Sequence, residues 1–162
     1  MKTVELKITY EKYDHINELT PQDKALLEKA TEAHKDAYAP YSQFHVGAAL
    51  LLEDGNIITG NNQENAAYPS GICAERVALF YASSQFPDAS IKTIAIVAQA
   101  MHFVITEPVA PCGSCRQVMS EYETKQQSPI RIILMAEKGN ILIFNKVEDI
   151  LPFMFHAEEL KK

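Results

Sequence analysis

The chain has few cysteines: three in 162 residues, and an odd number. That fits a reducing compartment and a metal or catalytic role better than a framework of disulfides. It also lacks any long apolar run. The most hydrophobic segments, VGAALLL at 46–52 and TIAIVA at 93–98, are far shorter than the ~20 residues that cross a bilayer. The N-terminus, MKTVELKITYEKYD, alternates apolar and polar residues and has no signal-peptide core. The expected location is the cytoplasm. No basic excess exists either: the formal charge is −6. A nucleic-acid backbone is therefore not the expected partner, because that affinity comes from Lys and Arg neutralising phosphates. No Pro/Gly/Ser-rich linker, repeat or low-complexity tract divides the chain, and its length fits one domain.

What is there reads as alternating elements. Val4, Leu6, Ile8 and Tyr10 recur at period two, so residues 3–10 form either a strand or an ordered arm. Thr20, Pro21 and Asp23 spell a helix start, with an apolar stripe of Ala25, Leu26, Ala30 and Ala33 running on to about residue 38. Residues 46–52 and 56–61 flank Glu53-Asp54-Gly55 as a hairpin. A helix is expected at 73–84, a strand covered on both faces at 93–98, and a helix at 113–123. A second hairpin pairs 130–136 with 141–145, and a short helix follows at 147–151. Strands separated by helices call for crossovers. The expected fold class is α/β, a single-domain α-β-α sandwich with a mixed central sheet flanked by helices.

The three cysteines sit in two motifs, GICAER (Cys73) and PCGSC (Cys112, Cys115). Cys112 and Cys115, at i and i+3, fall on one side of a helix start and can bind one metal ion. Taken alone, that pair also suits a redox couple or two small buried residues. Cys73 follows Pro69-Ser70-Gly71 and marks a second helix start. Side chains there lean past the helix end, so Glu75 can reach a water held near Cys73. Three thiolates and a water make an open, catalytic zinc geometry; a fourth protein ligand would make a structural one. Three thiolates leave Zn²⁺ with net negative charge and weaken its acidity, so charge must be withdrawn. Helix N-termini and Arg76 are the candidates.

CAE followed by P-C-x-x-C is the zinc deaminase signature. FHVGAALL, GNNQENAAYPSGICAER and PCGSCRQVMSEY closely resemble the small homotetrameric cytidine deaminases, over roughly residues 21–160. The resemblance implies one Zn²⁺ per subunit on Cys73, Cys112 and Cys115. It implies hydrolysis at C4 of cytidine and 2′-deoxycytidine in pyrimidine salvage, with Glu75 moving protons from the attacking water to ring N3 and the departing amine. Further roles follow residue by residue. The Ala74 and Cys112 backbones resemble the segments that bind the base, and Phe44 the aromatic packed on it. Asn62 and Glu64 resemble the pair on the ribose 3′-hydroxyl. Tyr68 and Phe155 resemble residues that complete a neighbour's site in the tetramer. Asn61 and Gln63 depart from the family's usual Cys and Ile. Residues 1–19 read as an N-terminal extension to a catalytic domain at 20–162. Rival readings are a deaminase of another cytosine-containing compound such as a nucleoside antibiotic, a polynucleotide editor, which the acidic charge disfavours, and a non-catalytic zinc-stabilised binding module.

Overall fold

The computed structural model describes residues 1–160. Six strands form one mixed sheet in the order β1-β6-β5-β4-β2-β3. The strands are β1 (Glu11–Tyr13), β2 (Phe44–Leu52), β3 (Ile57–Asn61), β4 (Ile91–Ala100), β5 (Arg131–Met135) and β6 (Ile141–Phe144). Among the described residues, β4 and β5 are the one pair of neighbouring strands that runs parallel. Their connection contains helix α3 (Gly113–Gln126); α1 (Pro21–Ala33) precedes β2 and α2 (Ala74–Gln85) precedes β4.

Strand alternation sorts the side chains into two layers. Ala49, Leu51, Ala95, Val97, Ile133, Ile141 and Ile143 pack with Leu26, Leu27 and Ala30 of α1. Ala48, Leu50, Ile94, Ile96, Ile132 and Leu134 pack with Ala78 and Leu79 of α2 and Cys115 and Met119 of α3. One helix covers one face and two cover the other, which is the expected sandwich. Buried on both faces, β4 is the near-continuous apolar run that the sequence shows.

The capped helix start read at Thr20-Pro21-Asp23 is found. Thr20 Oγ1 accepts the Asp23 N–H at 3.2 Å. Asp23 is also buried and paired through both carboxylate oxygens with Arg131 of β5, tying α1 to the sheet.

Two glycines set the helix distances. A Cβ on Gly47 would lie 2.0 Å from Ala30 O, and one on Gly60 would lie 2.6 Å from Ala78 N and 2.7 Å from Ala74 O. Hydrogen in place of a side chain lets α1 and α2 sit directly on β2 and β3.

Of the strand and the arm read at 3–10, the strand is not formed; pairing begins at Glu11 and ends at Tyr13. The partner decides this. β6 ends at Phe144 and the chain turns into a 3-10 turn at Val147–Asp149, so residues before Tyr10 meet no backbone to bond. Tyr10 stacks near Phe144, ring centroids 5.4 Å apart, and Val4, Leu6 and Ile8 stay exposed. Further on, Ile16 and Leu19 are partly buried against the α1 layer. The first long helix ends at Ala33 and tightens into a 3-10 turn at His34–Asp36, short of the expected residue 38. Pro40 disfavours helical backbone at the residue before it. The expected helix at 147–151 is likewise only that one 3-10 turn.

Candidate active site

Cys73 is the N-cap of α2 and Cys112 the N-cap of α3; neither side chain makes a capping hydrogen bond, so both sulfurs stay available. Cys115 lies in the first turn of α3, buried. Because α2 and α3 share one face of the sheet, the three sulfurs fall within 4.8 Å of one another, with Cys112 and Cys115 Sγ 3.5 Å apart. Sulfurs about 2.3 Å from a tetrahedral zinc stand roughly 3.8 Å apart, so the cluster is able to take the ion with little adjustment. Among the described residues no fourth histidine, cysteine or carboxylate joins this cluster.

The surroundings suit anionic sulfur. Hydrogen bonding with Cys115, and then Arg76, brings Cys73 down to about 5, while the same partnership and burial push Cys115 up. Arg76 Nη2 stands 3.9 Å from Cys73 Sγ, and its buried Nε–H has no hydrogen-bond partner among the described residues. A guanidinium short of acceptors beside thiols fits a site that becomes fully thiolate when metal binds. Glu75, only 4% exposed, is raised above the ordinary carboxylate range, chiefly by burial. Burial that disfavours the charged carboxylate makes Glu75 readier to take up a proton.

A groove of about 540 Å³ opens beside Cys73, which lines it together with Tyr41, Ser42, Asn62, Glu64 and Tyr68, among others. β3 ends at Asn61, one residue short of Asn62, and the extended path continues through Gln63, which bridges Tyr38 and Ile72. Asn62 and Glu64 both line the groove, and neither side chain is idle. Asn62 Oδ1 accepts the Val46 N–H at 2.7 Å and its Nδ2 donates to Phe44 O at 2.9 Å. Glu64 Oε2 accepts the N–H groups of Tyr41 and Ser42 at 2.9 and 3.2 Å, and Oε1 accepts the Ser42 hydroxyl. That hydroxyl first, and the two amides, hold Glu64 below the usual carboxylate range. The sequence offered no reading of Ser42; the signal was the PYSQF run just before β2, which has no apolar pattern to follow.

The other expected residues are spread around this centre. Ala74, wholly buried, opens α2. Phe44 opens β2, half-buried against Ala98, Ala100 and Ile105 rather than lining the groove. Tyr68 is 78% exposed and meets Tyr41 edge-on at 6.3 Å. Phe155 is 53% exposed, its backbone held at both N–H and C=O by the Gln117 amide of α3. The departures fit locally: Asn61 Nδ2 donates to Ala33 O at the end of α1, and Gln63 donates to Asn61.

Residues 20–128 match the family described as "Cytidine and deoxycytidylate deaminase zinc-binding region". The chain belongs to this deaminase family. It is 42% identical over 135 residues to a cytidine deaminase of Halalkalibacterium halodurans, a match covering 83% of this chain and 95% of that relative. A crystal structure of cytidine deaminase from Burkholderia pseudomallei superposes with a TM-score of 0.72 at 39% identity, covering 85% of this chain and all of that one. A blasticidin-S deaminase of Bacillus cereus is 29% identical over 140 residues, covering 85% of this chain and 94% of that relative. The deaminase fold and the mixed sheet read from the sequence agree with these relatives. Among the described residues of this deaminase no helix is long and apolar enough to cross a membrane.

Proposed function

We propose that this deaminase hydrolyses cytidine and 2′-deoxycytidine to uridine and 2′-deoxyuridine with release of ammonia. The observation that carries the reading is the convergence of Cys73, Cys112 and Cys115 at two adjacent helix starts, with buried Glu75 two residues beyond the first. In this reading the three sulfurs hold one Zn²⁺ per subunit. Bound there, the ion lowers the pKa of a coordinated water from 15.7 toward about 7, roughly 12 kcal/mol in favour of hydroxide.

The chain's own groups do the rest. Glu75 takes one proton from the attacking water and delivers it to ring N3, then takes the second, from the new C4 hydroxyl, and delivers it to the departing amine, which leaves as ammonia. The positive ends of α2 and α3 and the Arg76 guanidinium offset the charge of three thiolates. The Ala74 and Cys112 backbones bind the base; Phe44, which rests on Ala98, Ala100 and Ile105 outside the groove, would have to turn onto the base to pack on it. Asn62 and Glu64 bind the ribose 3′-hydroxyl. The exposed rings of Tyr68 and Phe155 suit a homotetramer in which each completes a neighbour's site. Residues 20–162 form the catalytic domain and 1–19 an extension to it. The acidic charge fits a small substrate rather than a polynucleotide, and a cytoplasmic role in pyrimidine salvage follows.

The test is the ultraviolet spectrum of cytidine incubated with zinc-loaded protein. Conversion to the uridine spectrum is expected; an unchanged spectrum with zinc confirmed bound refutes the reading. The similarity to a blasticidin-S deaminase favours one second reading, an antibiotic cytosine as substrate. The carboxylate and amide of Glu64 and Asn62 in the groove favour an ordinary nucleoside, and rates on both substrates separate the two.

A further inference from the structure

We infer that Ser42 is a positioning residue that fixes the sugar specificity of the groove, by leaving Glu64 one acceptor position for one hydroxyl donor. The inference rests on the nucleoside reading above. A carboxylate offers about four acceptor positions. Two at Glu64 Oε2 are taken by the Tyr41 and Ser42 amides, 2.9 and 3.2 Å away. One at Oε1 is taken by the Ser42 hydroxyl. One remains.

The Ser42 oxygen is itself fixed, accepting the Phe44 N–H at 3.1 Å. It therefore links Glu64 to the first residue of β2, whose carbonyl in turn accepts from Asn62. The carboxylate cannot turn without breaking this chain of contacts. The orientation has a chemical consequence. The remaining position accepts a hydrogen bond and cannot donate one while Glu64 is ionised. A free sugar hydroxyl satisfies it. A phosphate ester at that hydroxyl brings a second anion instead, with no proton to offer, and is rejected by repulsion. Ser42 thus helps to restrict the groove to free nucleosides over chain-internal nucleotides, a filter on the sugar separate from the recognition of the base.

The experiment uses zinc-loaded full-length protein and the variants Ser42→Ala and Ser42→Thr, with cytidine and 3′-deoxycytidine as substrates. Ser42→Ala is expected to raise the KM for cytidine about tenfold, as loss of a hydrogen bond to a charged group does, with kcat changed far less. The same variant should cost little on 3′-deoxycytidine, which lacks the donor, and Ser42→Thr should restore the cytidine KM. Equal losses on both substrates, or none on cytidine, overturn the inference. Ser42→Gly gives the same comparison should Ser42→Ala fail to fold. A second measurement needs no turnover: an NMR titration of the Glu64 carboxyl, expected to move upward in Ser42→Ala. An unmoved titration counts against Ser42. If the wild-type protein turns over neither nucleoside, the nucleoside reading has failed, and the titration alone decides whether Ser42 controls Glu64.

Discussion

Arg76 Nη2 lies 3.9 Å from Cys73 Sγ, one turn further along the helix that Cys73 caps. The contact places a permanent cation against a sulfur whose own position is fixed by the helix start. Removing the cation tests what it does. Arg76→Gln is expected to lower kcat/KM or zinc affinity by about 10–100-fold, the usual cost of losing a group that supports a metal ligand. Kinetics at matched zinc occupancy, with the zinc dissociation constant measured alongside, give the answer. Wild-type values for both would show Arg76 to be a bystander.

Glu75 is buried beside the cysteines yet is not one of the clustered groups able to ligate. Glu75→Gln should therefore bind zinc with full stoichiometry and lose at least 10²–10⁴-fold in kcat, the range for general acid–base catalysis. Metal analysis and turnover on the same sample check both halves. A near-normal rate, or loss of zinc, would remove Glu75 from its assigned role.

Gly60 meets α2 so closely that a methyl group would press on the backbone at Ala74 and Ala78. Gly60→Ala should cost about 1–3 kcal/mol of stability through overpacking. Because α2 begins at the site, it should also lower activity at temperatures where the variant is fully folded. Denaturant unfolding and kinetics at one low temperature test this; unchanged stability would mean α2 can shift freely.

The carboxyl of Glu64 titrates below its ordinary value in the folded chain. Its hydrogen bonds therefore stabilise the fold above the unfolded value of 4.5, and that contribution fades as pH falls through the lower folded value. Glu64→Gln should be less thermostable than wild type at neutral pH. The difference in Tm should narrow steadily below about pH 4.5. A gap that stays constant with pH would show that ionisation of Glu64 contributes nothing.

Much of the site was legible because its chemistry is local. Cys73 with Glu75, and Cys112 with Cys115, each sit within four residues, and a helix start brings such neighbours to one side. The hairpins around Gly55 and Gly139 were legible for the same reason. The choice between strand and arm at 3–10 was not, since the alternation is real but a strand also needs a partner, and β6 turns away at Phe144. Ser42 was invisible because its role depends on Glu64, twenty-two residues on.

The sequence by itself determined which groups can do chemistry: three sulfurs, one carboxyl, one guanidinium, and the helix starts that present them. Tertiary structure alone decided that Cys73 and the Cys112–Cys115 pair meet. That meeting requires α2 and α3 to lie side by side on one face of the sheet, pressed down where Gly60 has no side chain. Helix starts follow from short-range sterics and hydrogen bonds. The distance between two of them follows from how a whole sheet packs, and no short stretch of sequence contains that.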